Sequence, residues 1–233
     1  MAVLSRIRIV ETTGSTNADL LADSSAVEGD WLVALEQTAG RGRQGREWLT
    51  KAGNFFGSTL VEIASSDPPA QSLSLASGLA LIEAVDAAAP GLPLLLKWPN
   101  DLLLDSAKLG GILLERAGDR VVIGFGVNLV AAPEIPDRPA AHLGGRVSPQ
   151  AFAPLLAGAM SRMVALWRSA RPTEFASAWL ARAHPVGSQL SVHGSDAGAV
   201  HGRFEGIDPD GTLQLRLPDG SVRAIHAADV TLG

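Results

Sequence analysis

Between Thr38 and Trp48 the stretch TAGRGRQGREW sets Arg41, Arg43 and Arg46 among Gly40, Gly42 and Gly45, in a chain of formal net charge −5. Each glycine disfavours a helix by roughly 1 kcal/mol relative to alanine, so the segment reads as a loop. Glycine lets backbone approach a bound molecule, and arginine offers a fork of donors that matches phosphate or carboxylate oxygens. The loop is therefore either an anion-binding device or a solvated surface segment. A second cluster is KWPND, Lys97 to Asp101, followed by KLGG from Lys108. Pro99 removes a backbone donor and turns the chain, which leaves Asn100 and Asp101 at the start of a strand. Lys97 and Lys108 add positive charge, Asp101 suits a divalent cation or the orientation of a lysine, and Gly110 and Gly111 permit close backbone approach. A plain hairpin would explain the same residues. A third candidate is Asn128 in GVNLV, because an unpaired amide in an apolar strand costs about 1–3 kcal/mol.

Other chemistries are excluded or unsupported. With no cysteine, the chain has no disulfide, no thiolate metal site and no cysteine nucleophile. Its five histidines lack metal-ligand spacing, no serine lies in a G-x-S-x-G elbow, and a lone GFG is too weak for a dinucleotide motif. The acidic balance argues against a broad nucleic-acid surface, so local positive charge points to a small anionic ligand. Hydrophobic residues reach 46%, yet charges interrupt every run before the roughly 18 apolar residues of a membrane span. The N-terminal MAVLSRIRIVETT lacks the apolar core of a signal peptide, so a cytoplasmic protein without a membrane segment is expected.

These residues need elements to hold them. Arg6 to Val10 alternates with period two and Trp31 to Glu36 is a short apolar run, so both predict strands. Between them, Thr16 with Asp19 matches a capping box and predicts a helix start. A strand over Asn54 to Ile63 follows, then a helix carrying Leu75, Leu79, Ile82 and Val85 that Pro90 and Gly91 end. The arginine loop thus spans roughly 17 residues, a length that compact domains usually reserve for function or disorder. LPLLLKWPNDLLLD, KLGGILLE and RVVIGFGVNLV supply three or four strands, with a turn near Asp119. Val130 to Val147 reads as a surface loop. Pro149 to Ser169 predicts a helix whose core stripe is Phe152, Leu155, Leu156, Ala159, Met163, Leu166 and Trp167. A second helix lies near Thr173 to Arg182. After Pro185–Gly187, short β-like pieces separated by DPDG and LPDG suit a small barrel.

GSTN, EQTAGRGRQGREW, KWPNDLLL, KLGGILLE and GFGVNL, in this order and at these separations, resemble the biotin protein ligases. The likeness covers about residues 10–130, and the β-rich tail resembles that family's SH3-like closing domain. It implies an α+β fold: a mixed-sheet catalytic domain over residues 1–185 and an SH3-like β-barrel over 186–233. The implied reaction joins biotin and ATP with Mg²⁺ into biotinyl-5′-AMP and pyrophosphate. The biotinyl group then passes to a lysine of a biotin carboxyl carrier protein domain, of acetyl-CoA carboxylase or a related carboxylase. The resemblance carries biotin contacts over to Ser15, Thr16, Asn17, Gln37, Arg41, Gly42, Arg43, Lys108, Gly110 and Gly111. It carries nucleotide contacts over to Arg43, Arg46, Trp48, Asn100, Lys108 and Asn128, catalytic roles to Lys108, Arg43, Arg46 and Lys97, and a metal contact to Asp101. With GSTN beginning at Gly14, an enzyme-only type that binds no specific DNA is expected, as monomer or homodimer. The alternatives are a lipoate or octanoate ligase of related fold and a non-catalytic biotin-binding module.

Overall fold

The computed structural model describes residues 6–135, 139–193, 199–226 and 228–232. Parts of the N-terminal segment, of the Val130–Val147 loop and of the C-terminal β-like pieces lie outside the described residues. The first half builds a seven-stranded sheet in the order β1-β2-β3-β7-β6-β5-β4. Its strands are β1 (Ile7–Thr13), β2 (Trp31–Gln37), β3 (Phe55–Glu62), β4 (Leu94–Lys97), β5 (Asp101–Leu104), β6 (Ala107–Ala117) and β7 (Arg120–Val127). β1 runs parallel to β2, and every other neighbouring pair is antiparallel. The mixed α+β architecture is thus as expected, with the turn between β6 and β7 at Gly118–Asp119.

The two faces of the sheet differ because β7 alternates. Val121, Ile123, Phe125 and Val127 point into the main core against the helices α2 (Leu73–Ala88) and α3 (Pro149–Ser169). Val122 points the other way, where the short α1 (Thr16–Ala22) covers it with Leu20, Leu32 and Leu60 in a small second core. Beyond α1 that face carries Gly124 and Gly126, and a sheet face paved with glycine cannot fill itself.

Two sequence expectations need correction. α1 starts at Thr16, but its cap is Ser15, whose Oγ accepts the Ala18 N–H; Asp19 instead accepts from the Thr13 hydroxyl. The box with Thr16 does not form because the cap lies one residue earlier, which frees the Thr16 side chain for the site. In α3, Leu155 and Leu166 are exposed. The buried arc runs on through Ala153, Ala157, Met160 and Val164 instead, and alanine carries too little apolar signal to have marked that side of the helix.

After α4 (Pro172–Leu180), the strands β8 (Gln189–His193), β9 (Val200–Ile207), β10 (Leu213–Arg216), β11 (Val222–Ile225) and β12 (Asp229–Leu232) form an antiparallel sheet ordered β11-β10-β9-β8-β12, in agreement with an SH3-like unit. Its apolar face is continuous with the main core: Leu190, Phe204, Leu213 and Leu215 belong to the same buried cluster as α2 and α3. Trp98 Nε1 donates to the Gly211 carbonyl at 2.8 Å across this junction. Among the described residues no helix is long and apolar enough to cross a membrane.

Candidate active site

The uncovered part of the sheet face opens into a cavity of about 850 Å³. Its floor is Gly111 of β6 with Gly124 and Gly126 of β7. A Cβ on Gly124 would overlap the Asn17 amide, one on Gly126 would overlap the Trp48 indole, and one on Gly111 would lie 2.9 Å from that ring. Gly110 faces the opposite side, toward Leu81 and the main core, so it does not take the place among ligand contacts that the resemblance gave it.

One end of the cavity is polar. The N-terminus of α1 presents Ser15, Thr16 and Asn17, all buried, beside Gln37 at the end of β2. Gln37 Oε1 accepts from the Thr16 N–H at 2.8 Å and the Thr16 hydroxyl at 3.0 Å. Ser58 of β3 and Glu115 of β6 also join this group; sequence reasoning passed over both, since a serine in an apolar strand and a glutamate at a strand end carry no motif.

The other walls are cationic. The arginine loop folds back on itself, with an antiparallel backbone β-bridge between Arg41 and Glu47, a Gly42 N–H to Arg46 carbonyl bond of 2.7 Å, and left-handed Gln44 and Gly45 at its tip. Gln44 bears this conformation at φ 57°. The loop arginines converge on the cavity and already have partners. Arg41 lies 3.6 Å from Glu115, Arg46 lies 2.8 Å from Asp229, and Arg43 donates to the Ala228 carbonyl at 3.1 Å and to Asn100 Oδ1 at 3.5 Å. Burial draws the Arg43 guanidinium below its ordinary pKa, opposed by Asp229 and Asp101. Asp229 comes from the C-terminal sheet, and no spacing in the sequence links residue 229 to residue 46.

At the far end, Asp101 sits between two ammonium groups: Lys108 Nζ at 2.6 Å and Lys97 Nζ at 3.2 Å. Burial works to raise the Asp101 pKa, but the two lysines outweigh it and hold the carboxyl below its usual range. Of the two readings open for Asp101, the geometry displays lysine orientation. Among the described residues no group of three His, Asp or Glu side chains could hold a metal. Asn100 steadies the same corner by donating to the Ile112 carbonyl. Asn128 is paired with backbone: its Nδ2 donates to the carbonyls of Ala141 at 3.1 Å and Lys108 at 3.4 Å.

Two further features were not legible beforehand. The segment after Val130 is a cavity wall rather than a free surface loop: the Lys108 N–H donates to the Pro139 carbonyl, the Ala141 N–H donates back to the Lys108 carbonyl, and Pro133, Ile135 and Ala140 line the space. Trp48 lies on the glycine floor, with Lys108 Nζ 5.3 Å from its ring centroid and its own Nε1 buried without a partner.

A glycine-floored pocket with one end lined by hydroxyls and amides, a cationic wall and a lysine pair defines a site for a ligand that is neutral at one end and anionic at the other. The chain belongs to the biotin/lipoate A/B protein ligase family, which it matches over residues 7–128, and residues 191–233 match the biotin protein ligase C-terminal domain. It is 40% identical to the biotin–[acetyl-CoA-carboxylase] ligase of Paracoccus denitrificans, over 95% of this chain and 98% of that one. Identity to the Mycobacterium tuberculosis protein of the same name is 38%, over 97% and 88%. The biotin protein ligase of Aquifex aeolicus, solved with biotin and ATP, superposes with a TM-score of 0.85 at 25% identity, covering 99% of both chains.

Proposed function

We propose that the protein is an ATP-dependent biotin protein ligase. The observation that carries this reading is one cavity that combines the amide and hydroxyl array of Ser15, Thr16, Asn17 and Gln37 with the cations Lys108, Arg43 and Arg46. A cyclic urea presents one acceptor and two N–H donors, which suits such an array. An acyl tail running over the glycine floor would bring its carboxylate to Lys108. Attack of that carboxylate oxygen on the α-phosphorus of ATP forms the acyl-phosphate bond of biotinyl-5′-AMP and releases pyrophosphate. Two anions must meet, so preorganised donors that face the charge developing on the phosphoryl oxygens supply the rate. Lys108 is assigned to the reacting carboxylate and phosphate, Arg43 and Arg46 to the phosphates and retention of the adenylate, and Lys97 to the charge balance at Asp101. Trp48, Asn100 and Asn128 are assigned to the nucleotide side, and Arg41 and Gly42 to closure over biotin. Mg²⁺ enters with ATP as part of the substrate, since both Asp101 oxygens are already engaged by lysines.

In the second step a lysine amine of a biotin carboxyl carrier domain attacks the acyl carbon and AMP leaves. Residues 1–185 are assigned to ligation and 186–233 to the closing unit, in a cytoplasmic monomer or homodimer that binds no specific DNA. A lipoate ligase is the second reading, but a dithiolane ring offers no N–H or carbonyl to the array at Thr16 and Gln37. Pyrophosphate release from ATP and Mg²⁺ with biotin or lipoate tests the choice. Biotin-dependent release and labelling of a carrier domain are expected, and release with lipoate alone would overturn the proposal.

A further inference from the structure

Glu115 closes the KLGGILLE segment, and the reaction as assigned gives it no task. Its carboxylate lies on the ligand face of β6, where Oε2 accepts from Asn17 Nδ2 at 2.8 Å. The Asn17 Nδ2 also donates to the Leu113 carbonyl at 3.3 Å, and Gly124 lies flat beneath the amide. On the other side of Asn17, the fully buried Ser58 Oγ is 2.6 Å from Asn17 Oδ1 and 2.7 Å from Thr16 Oγ1. Thr16 Oγ1 is in turn 3.0 Å from Gln37 Oε1. Carboxylate, amide, two hydroxyls and a second amide therefore form one line that ends in the cavity.

A hydroxyl has one proton to give, so such a line must have a direction. The Glu115 carboxylate and the Leu113 carbonyl can only accept, which turns the Asn17 NH₂ toward them and its Oδ1 toward Ser58. Ser58 then gives its proton to Asn17. The Thr16 proton is taken up within the line, by Ser58 or by Gln37. What Thr16 shows to the cavity is a lone pair without a proton.

We infer that Glu115 is a positioning residue that sets the polarity of this line, so that the pocket accepts from ligand N–H groups and disfavours rings that lack them. The inference rests on the biotin-ligase reading and deepens it, because it names the residue behind the preference for a urea over an isosteric ring. Glutamine at 115 keeps the shape but can donate as well as accept, which leaves only the longer contact to the Leu113 carbonyl, 3.3 Å, to orient the Asn17 amide; the amide can then turn, Ser58 can give its proton to Thr16, and Thr16 can turn its own proton toward the ligand.

The test measures pyrophosphate release with biotin and, separately, with the two cyclic carbamates in which one or the other ureido N–H is replaced by oxygen. The wild type is expected to prefer biotin over the carbamate whose oxygen faces Thr16 by about 10–100-fold in kcat/KM, carried by KM, as befits a lost hydrogen bond in a buried site. In Glu115→Gln this preference is expected to fall below about 5-fold, the scale of a bond that can be remade. The change should lie in KM rather than kcat, and discrimination against the other carbamate should persist. A purely structural role would weaken all three substrates alike. Should Glu115→Gln fold poorly, Glu115→Leu removes the acceptor that holds the Asn17 amide and is expected to weaken the same preference. Wild-type discrimination retained in the variants overturns the inference alone, whereas a wild type with no biotin-dependent release overturns the functional reading with it.

Discussion

Replacing Lys108 by methionine separates what this lysine does for the fold from what it does for the reaction. In the folded protein its Nζ lies 2.6 Å from Asp101, a carboxylate whose side chain is only 13% exposed, and Lys97 supplies a second ammonium at 3.2 Å. A buried charge stripped of its only partner costs about 3–5 kcal/mol; with Lys97 still in place and Lys108 itself half-exposed, about 1–2 kcal/mol is expected. At this chain length that is a fall in Tm of about 2–8 °C. The rate of adenylate formation should fall much further, by about 10²–10³-fold, because the donor meets a charge that grows in the transition state. The double variant Lys108→Met with Asp101→Asn removes the stranded carboxylate. Its Tm should return most of the way while its adenylation stays about as slow as in the single variant. Calorimetry and single-turnover formation of biotinyl-5′-AMP read the two quantities separately. Recovery of adenylation in the double variant would show that Lys108 acts only by holding Asp101, and the transition-state role would be wrong.

Gly126→Ala would set a methyl 2.8 Å from Trp48 Nε1; at the usual overpacking cost of about 1–3 kcal/mol, biotin binding by calorimetry should weaken about 5- to 100-fold, and unchanged affinity would sink the floor assignment. Asp229→Asn should release Arg46 and Arg43 from the C-terminal sheet, so that hydrogen exchange over residues 38–48 quickens about 2- to 5-fold in the free protein, as an exposed pair predicts; equal protection in both proteins would count against a latch. Asp229→Asn should also shorten adenylate retention. His184, with both ring nitrogens unpartnered against Phe204, is held neutral by burial, with Lys97 adding to the effect, and its pKa is pushed down to about 4. The unfolded chain therefore binds the extra proton first, so stability present above about pH 6.5 should be lost as pH falls toward 4. His184→Phe should flatten that part of the denaturation profile, and an unchanged slope would refute the assignment.

The strands and helices were legible where pattern is strong: Arg6 to Val10 alternates and leads into β1, α3 runs from its proline to Ser169, and the β4–β5 hairpin follows from a proline between apolar runs. The site was legible where chemistry is concentrated in sequence, as in the arginine loop and the two lysines. It was not legible where partners lie far apart along the chain. Asp229 meets Arg46, and Glu115 meets Asn17, only because the sheet order and the C-terminal sheet bring them there. Gly124 and Gly126 make only a weak dinucleotide pattern in sequence, although their value is steric: each leaves the space that another residue's side chain occupies. Asn128 reads as a side chain in need of a partner, and the partners of its Nδ2, the carbonyls of Lys108 and Ala141, lie on segments that only the fold brings beside it.

The apolar core that runs unbroken from α2 and α3 into the C-terminal sheet bears on how the molecule melts and how its parts can be exchanged. Phe204, Leu213 and Leu215 are wholly buried, and they share that interior with Leu75 and Leu96 of the first half. The two units should therefore unfold in one calorimetric transition, and removing the tail would uncover hydrophobic surface rather than leave a finished smaller protein. A chimera that takes its tail from a distant relative would inherit a mismatched seam, and would need the facing side chains of α2 and β4 transplanted along with it.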